Sequence, residues 1–221
     1  MEVSKDKLKL PSYGVLMFIS CGVAFCCYFA SNMRLPVVPL YATSLGINTA
    51  QIGFINSAFF LTAGCLSLPL GFVSDRLGRK LLACLGLLVL SGASFFLYFS
   101  NTFIQLMWSY LFIGIGLAAF GPTIMAFVAD ISPATHLGRS YGWYTTALYC
   151  GLSLGPAVGG FVAHTSGFLQ VFLVSGILFL LVFWIVFFFL PRRRLGSTPR
   201  SEKEKTVSLF RQLFKNCLLY T

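Results

Sequence analysis

The sequence predicts an all-α membrane protein with six transmembrane helices and a C-terminal interfacial helix, and three observations carry that prediction. Only 10% of the 221 residues are charged and 57% are hydrophobic, whereas a water-soluble domain carries about 25% charged residues. Six apolar stretches reach the roughly 20 residues that a helix needs to cross the hydrocarbon layer. Of the 16 Lys plus Arg and 6 Asp plus Glu, only Arg34 falls inside those stretches. With 24 Phe and a mean hydropathy of +0.83, the apolar surface exceeds what a single core of this length can hide.

The elements follow in order. Residues 1–12 form a cytoplasmic segment too short and too charged for a secretory signal, and the apolar run after it is longer than a signal core, so it stays as a span. The spans are 13–38, 51–72, 81–99, 104–128, 141–163 and 168–190. None alternates with the ten-residue segments of barrel strands. The outer connections, 39–50, 100–103 and 164–167, leave no room for an external domain; the inner ones, 73–80 and 129–140, hold most of the loop charge. Pro191 and three arginines, Arg192, Arg193 and Arg194, stop the last span, and 191–206 is a basic cytoplasmic linker whose Ser, Pro, Lys and Glu stretch at 196–205 is not expected to fold alone. In 207–221, Val207, Phe210, Phe214 and Cys217 or Leu218 recur at helical spacing opposite Arg211, Gln212 and Lys215, the pattern of a helix lying in the interface. Its last six residues, Asn216 to Thr221, read either as the start of a seventh span or as a frayed tail.

Charge sets the expected orientation. With the N-terminus inside, 15 of the 16 basic residues lie on the cytoplasmic side and only Arg34 on the other, so both termini are expected in the cytoplasm of a plasma or inner cell membrane. The net charge of +10 then faces anionic lipid headgroups rather than nucleic acid, because the aromatics sit in the spans and not among the basic residues. Cys21, Cys26, Cys27, Cys65, Cys84 and Cys150 lie in spans and Cys217 in the tail, without metal-ligand spacing, and read as small apolar packers. His136 and His164 fall in loops on opposite sides. With no nucleophile beside a base, no metal cluster and no phosphate-binding loop, neither an enzyme nor a cofactor is expected.

The densest motif is the inner connection from Gly71 to Lys80, which carries Asp75, Arg76, Arg79 and Lys80 together with two glycines, Gly71 and Gly78, expected to permit a tight bend. An ordinary basic loop explains Arg76, Arg79 and Lys80 but not Asp75, which needs a partner. This string resembles the signature of the major facilitator superfamily between helices 2 and 3, G-x-L-a-D-[RK]-x-G-[RK]-[RK]-x-x-[LI]. Gly71, Asp75, Arg76, Gly78, Arg79 and Lys80 match it, while Val73, Ser74 and Ala83 depart mildly. The resemblance implies that Asp75 meets a helix N-terminus in the opposite half of the transporter, and that Arg79 joins a charge relay with an acid at the inner end of helix 4. Asp130 fits that acid, an ordinary interfacial acid being the other reading. A carboxylate is favoured at a helix N-terminus, so such a cluster would act as a latch between two states.

Span 5 carries Gly151, Gly155, Pro156, Gly159 and Gly160, similar to the superfamily's G-x-x-x-G-P-x-x-G-G antiporter motif, with Gly138 and Gly142 continuing the lead-in. Glycines four apart share one face and admit a close neighbour, and Pro156 removes the hydrogen bond to the Leu152 carbonyl. The helix 4 signature R-x-x-x-G-x-G is broken: its glycines fall on Gly114 and Gly116, and Tyr110 stands at the arginine position. No span holds an acid that could carry a proton. Arg34, just before Pro36 and Pro39, is either a snorkelling arginine at the outer headgroups or a cavity-facing cation with Asn32 beside it. Asn56, Gln105 and Tyr110 are further cavity candidates, or single polar residues that only hold helices together.

As a whole the resemblance implies the N-terminal half of a twelve-helix fold, six spans as two inverted three-helix repeats. The expected function is efflux of small organic compounds by alternating access. The alternatives are a half inactive alone or one active only as a homodimer. The expected partners are the lipid bilayer, a small-molecule substrate, and either a C-terminal half or a second copy.

Overall fold

The computed structural model describes residues 13–191. They form α1 (Tyr13–Met33), α2 (Val37–Ser44), α3 (Thr49–Leu77), α4 (Arg79–Tyr98), α5 (Phe103–Ile131), a 3-10 turn (Ala134–His136), α6 (Leu137–Ser166) and α7 (Phe168–Phe189), with no strand among the described residues. Among the described residues, six apolar helices are long enough to span a membrane, α1 and α2 together making the first, from Tyr13 to Ser44. The basic linker and the interfacial helix expected at 192–221 lie outside the described residues, as do residues 1–12.

The connections are tighter than expected because the helices run further. The first span does not stop at residue 38: Pro36 interrupts it, a turn closes from the Val37 N–H to the Arg34 carbonyl at 3.1 Å, and α2 carries on to Ser44. The inner connection 73–80 is not a loop. Helix α3 continues through Asp75 to Leu77, and the chain reverses on Gly78 alone, whose φ of 97° disfavours any side chain. Gly71 therefore sits inside a helix and makes no bend. Thr49 enters α3 through a capping box, in which Asn48 Oδ1 accepts from the Gln51 N–H at 2.8 Å and Gln51 Oε1 from the Asn48 N–H at 3.2 Å.

Helix α1 lies along α6, α5 sits between α3 and α4, and α7 packs on α4 and α1. Small residues set the two main contacts of α5, with α3 and α4. A Cβ on Gly114 would come 2.9 Å from the Phe59 carbonyl oxygen of α3, and one on Gly116 would come 2.9 Å from the Gly86 carbonyl oxygen of α4. Two residues apart turn about 200° around a helix, so the pair admits a neighbour on each side.

Burial is uneven. In the most apolar stretch of α4 and of α5, 56% of residues are buried, against 17% in the fifth span and 6% in α3, where only Ile55 and Ser74 are buried. The fold thus closes its core around α1, α4, α5 and α7 and leaves one flank of α3 and α6 uncovered. Cys65 and Cys150, expected as packers, are exposed on those two helices.

Candidate functional site

Two arrangements of chemistry lie at different levels of the bundle. The first gathers three helix ends: Asp75 in the last turn of α3, Arg79 at the first position of α4, and Asp130 next to the end of α5. Arg79 Nη2 lies 3.1 Å from Asp75 Oδ1, while Arg79 Nε donates to Asp130 Oδ2. Each member sits at the end of its helix where the macrodipole disfavours its charge, acids at C-termini and a base at an N-terminus. Pairing offsets all three. The two acids differ in setting, since the Asp75 side chain is 48% exposed and that of Asp130 only 17%. Arg76 points to the exterior, and Lys80 lies over the Phe187 ring of α7, 5.6 Å from its centroid.

The second arrangement is a cavity of about 210 Å³ shared by α1, α3, α5 and α6, lined among others by Tyr28, Asn32, Arg34, Phe59, Tyr110 and Leu152. Drug-sized ligands occupy roughly 300–1,000 Å³, so this cavity is smaller than such a site. Arg34 does not snorkel. It is 2% exposed, its Nη1 donates to Ser94 Oγ at 2.7 Å, and its guanidinium carbon lies 5.1 Å from the ring centroid of Phe179. Phe179 stands eleven residues into α7, about 16 Å along that helix, so the cation reaches toward mid-span.

Two cavity candidates read from the sequence fall elsewhere. Gln105 accepts from the Asn101 N–H at 2.8 Å and closes the turn before α5; a residue two places into a helix is positioned to cap, not to face a cavity. Asn56 is half-buried on α3 but lines no part of the cavity. Conversely, Tyr28, Phe59 and Leu152 were not singled out from sequence. Tyr28 stands four residues before Asn32, whose Nδ2 donates to the Tyr28 carbonyl at 2.9 Å, and that i,i+4 spacing was the available signal.

The glycine string on α6 has α1 as its close neighbour. A Cβ on Gly151 would meet the Phe25 carbonyl oxygen at 2.6 Å, one on Gly155 the Phe29 carbonyl oxygen at 2.8 Å, and one on Gly159 would collide with the Met33 backbone. The stripe seats α1 within this bundle. Gly138, Gly142 and Gly160 have open space around them.

Comparison with known proteins agrees with this architecture. The family profile of the Major Facilitator Superfamily matches residues 20–221. The chain belongs to the Major Facilitator Superfamily. Members of this superfamily are membrane transporters rather than enzymes, and the six apolar spans make the chain an integral membrane protein. Among its relatives, the quinolone resistance protein NorA of Staphylococcus aureus strain Mu50 is 31% identical over 142 residues, covering 64% of this chain and 37% of NorA. An MFS-type transporter of Methanocaldococcus jannaschii is 29% identical over 143 residues, covering 65% of this chain and 37% of its own length. The chain thus spans little more than a third of the curated relatives it matches.

Proposed function

We propose that this chain is the N-terminal six-helix unit of an alternating-access exporter of small organic compounds, with its termini in the cytoplasm and its helices arranged as two inverted three-helix repeats. Gly71, Asp75, Arg76, Gly78, Arg79, Lys80 and Asp130 form its inner latch. The observation that carries this reading is Arg79 bridging carboxylates from two other helices. A tilt of α3 or α5 relative to α4 breaks the bridge and leaves charges at unfavourable helix ends, which makes two discrete states rather than a continuum. The exposed Asp75 retains acceptor capacity for a helix N-terminus of a second six-helix unit. The name of the quinolone-resistance relative supports efflux of small organic compounds.

Flux of a fluorescent quinolone across proteoliposomes containing the purified chain tests it. Transport by the wild type, abolished by Asp75→Asn, is the expected result; unchanged flux in that variant would remove the latch. A second reading, a half that is inactive alone, is favoured by the small volume of the cavity. It predicts no flux at all until another six-helix unit is supplied.

A further inference from the structure

We infer that Arg34 is an anion site that selects organic acids, fixing a carboxylate of the transported compound at the inner wall of the cavity. The inference rests on the exporter reading only for what occupies the site; the site itself follows from charge. A guanidinium has five N–H donors, and one of Arg34's is directed to Ser94 Oγ, whose own proton goes to the Leu90 carbonyl at 2.7 Å. The Phe179 ring offers its face but no charge. Among the described residues the only acids are Asp75 and Asp130. Both pair with Arg79, and Asp130 is twenty residues along α5 from the cavity residue Tyr110, about 30 Å away. A cation buried to 2% exposure in the break between α1 and α2 of the first span is costly without a counter-charge, and the cavity is the space that Arg34 borders.

The chemistry of that counter-charge is a carboxylate beside a flat apolar body. A planar fork of N–H donors matches a carboxylate in a bidentate manner, and Tyr28, Phe59 and Tyr110 present aromatic surface to the same space. Tyr110 occupies the position at which the resembled helix 4 signature has its arginine, so the cavity takes its cation from the first span instead. An acidic side chain from another six-helix unit offers the same group, and the experiment separates the two sources.

Equilibrium binding of 2-naphthoate and 2-naphthamide to the full chain in nanodiscs is the test, because the two probes share a ring and differ in charge. The acid is expected to bind about tenfold more tightly. Arg34→Gln should remove that preference while leaving the amide within about twofold, and Arg34→Lys should keep part of it, as a point charge without the fork. Equal binding of the two probes by the wild type, absence of acid binding, or an Arg34→Gln variant that keeps the preference overturns the site. Absence of acid binding also marks a protein side chain as the counter-charge. Should Arg34→Gln not fold, Ser94→Ala takes its place: it frees an N–H without removing the charge, so acid affinity should hold or rise, and a fall of about tenfold counts against the site. Arg34-dependent acid binding without any flux would remove the exporter reading and keep the site. Flux of both probes at equal rates, with no acid preference in binding, would do the reverse.

Discussion

Arg79 is shared unequally between its two carboxylates, and the difference is measurable one residue at a time. Its contact with Asp130 is largely withdrawn from solvent, whereas Asp75 is half exposed and screened. Asp130→Asn is therefore expected to cost about 1–3 kcal/mol and Asp75→Asn less than about 1 kcal/mol, read as thermal unfolding of the purified chain in detergent. Equal losses would show that the exposed pair is as well formed as the shielded one. The same residues show how far sequence reaches. That Asp75 needs a partner was legible, since an acid among three bases opposes the orientation signal. That Arg79 belongs to the same cluster came only from the resemblance, because the two residues lie on either side of the Gly78 reversal, one in α3 and one in α4, and no helical spacing relates them. Arg34 stayed open between the headgroups and the cavity because sequence position locates a Cα, and a long side chain is free to run either way from it.

Helix contacts follow from where glycine removes a side chain, and α6 makes this testable within one motif. Gly155 and Gly159 lie against the α1 backbone, while Gly160 has nothing within 4 Å of its missing Cβ. Gly155→Ala and Gly159→Ala should each lower stability by about 1–3 kcal/mol, because backbone on α1 cannot yield as a side-chain tip can. Gly160→Ala should be neutral or stabilising by up to about 1 kcal/mol, the helix propensity difference. Thermal unfolding and the monodispersity of each variant decide it, and a loss at Gly160 equal to that at Gly159 would remove the α1–α6 seam. The four-residue spacing announced a close neighbour from sequence alone. Which helix it was did not follow, because every span in this chain is apolar and the period of small residues fixes a face, not the identity of what it meets. Six spans were plain because charge is so nearly excluded from them; the continuation into α2 was not, because two prolines in four residues read as an end when here they make a break.

At the scale of the whole molecule, the flanks differ in what they offer. Helix α7 exposes Leu181, Trp184, Ile185, Phe187, Phe188 and Phe189, a surface suited to acyl chains. The uncovered flanks of α3 and α6 mix apolar residues with Gly53, Ser57, Gly64, Ser153, Ala157 and Gly160, all exposed. Lipid gains nothing from small residues, whereas another helix approaches closely over them and recovers dispersion contacts. These two flanks therefore read as protein-facing, and the cavity opens between the same helices, so whatever covers α3 and α6 also completes the cavity. With an even number of spans, two copies inserted in the same sense present the same flanks to one another. Native mass spectrometry of the chain ejected from nanodiscs is expected to give twice its 24.3 kDa. Bulky substitution at Gly64 or Ser153 should reduce it to one copy without lowering the unfolding temperature, because neither residue is buried within the bundle. A wild-type chain that stays single, with Cys65 and Cys150 open to a lipid-soluble maleimide, would mean that two copies do not close these flanks. The partner would then have to be a six-helix unit of different sequence.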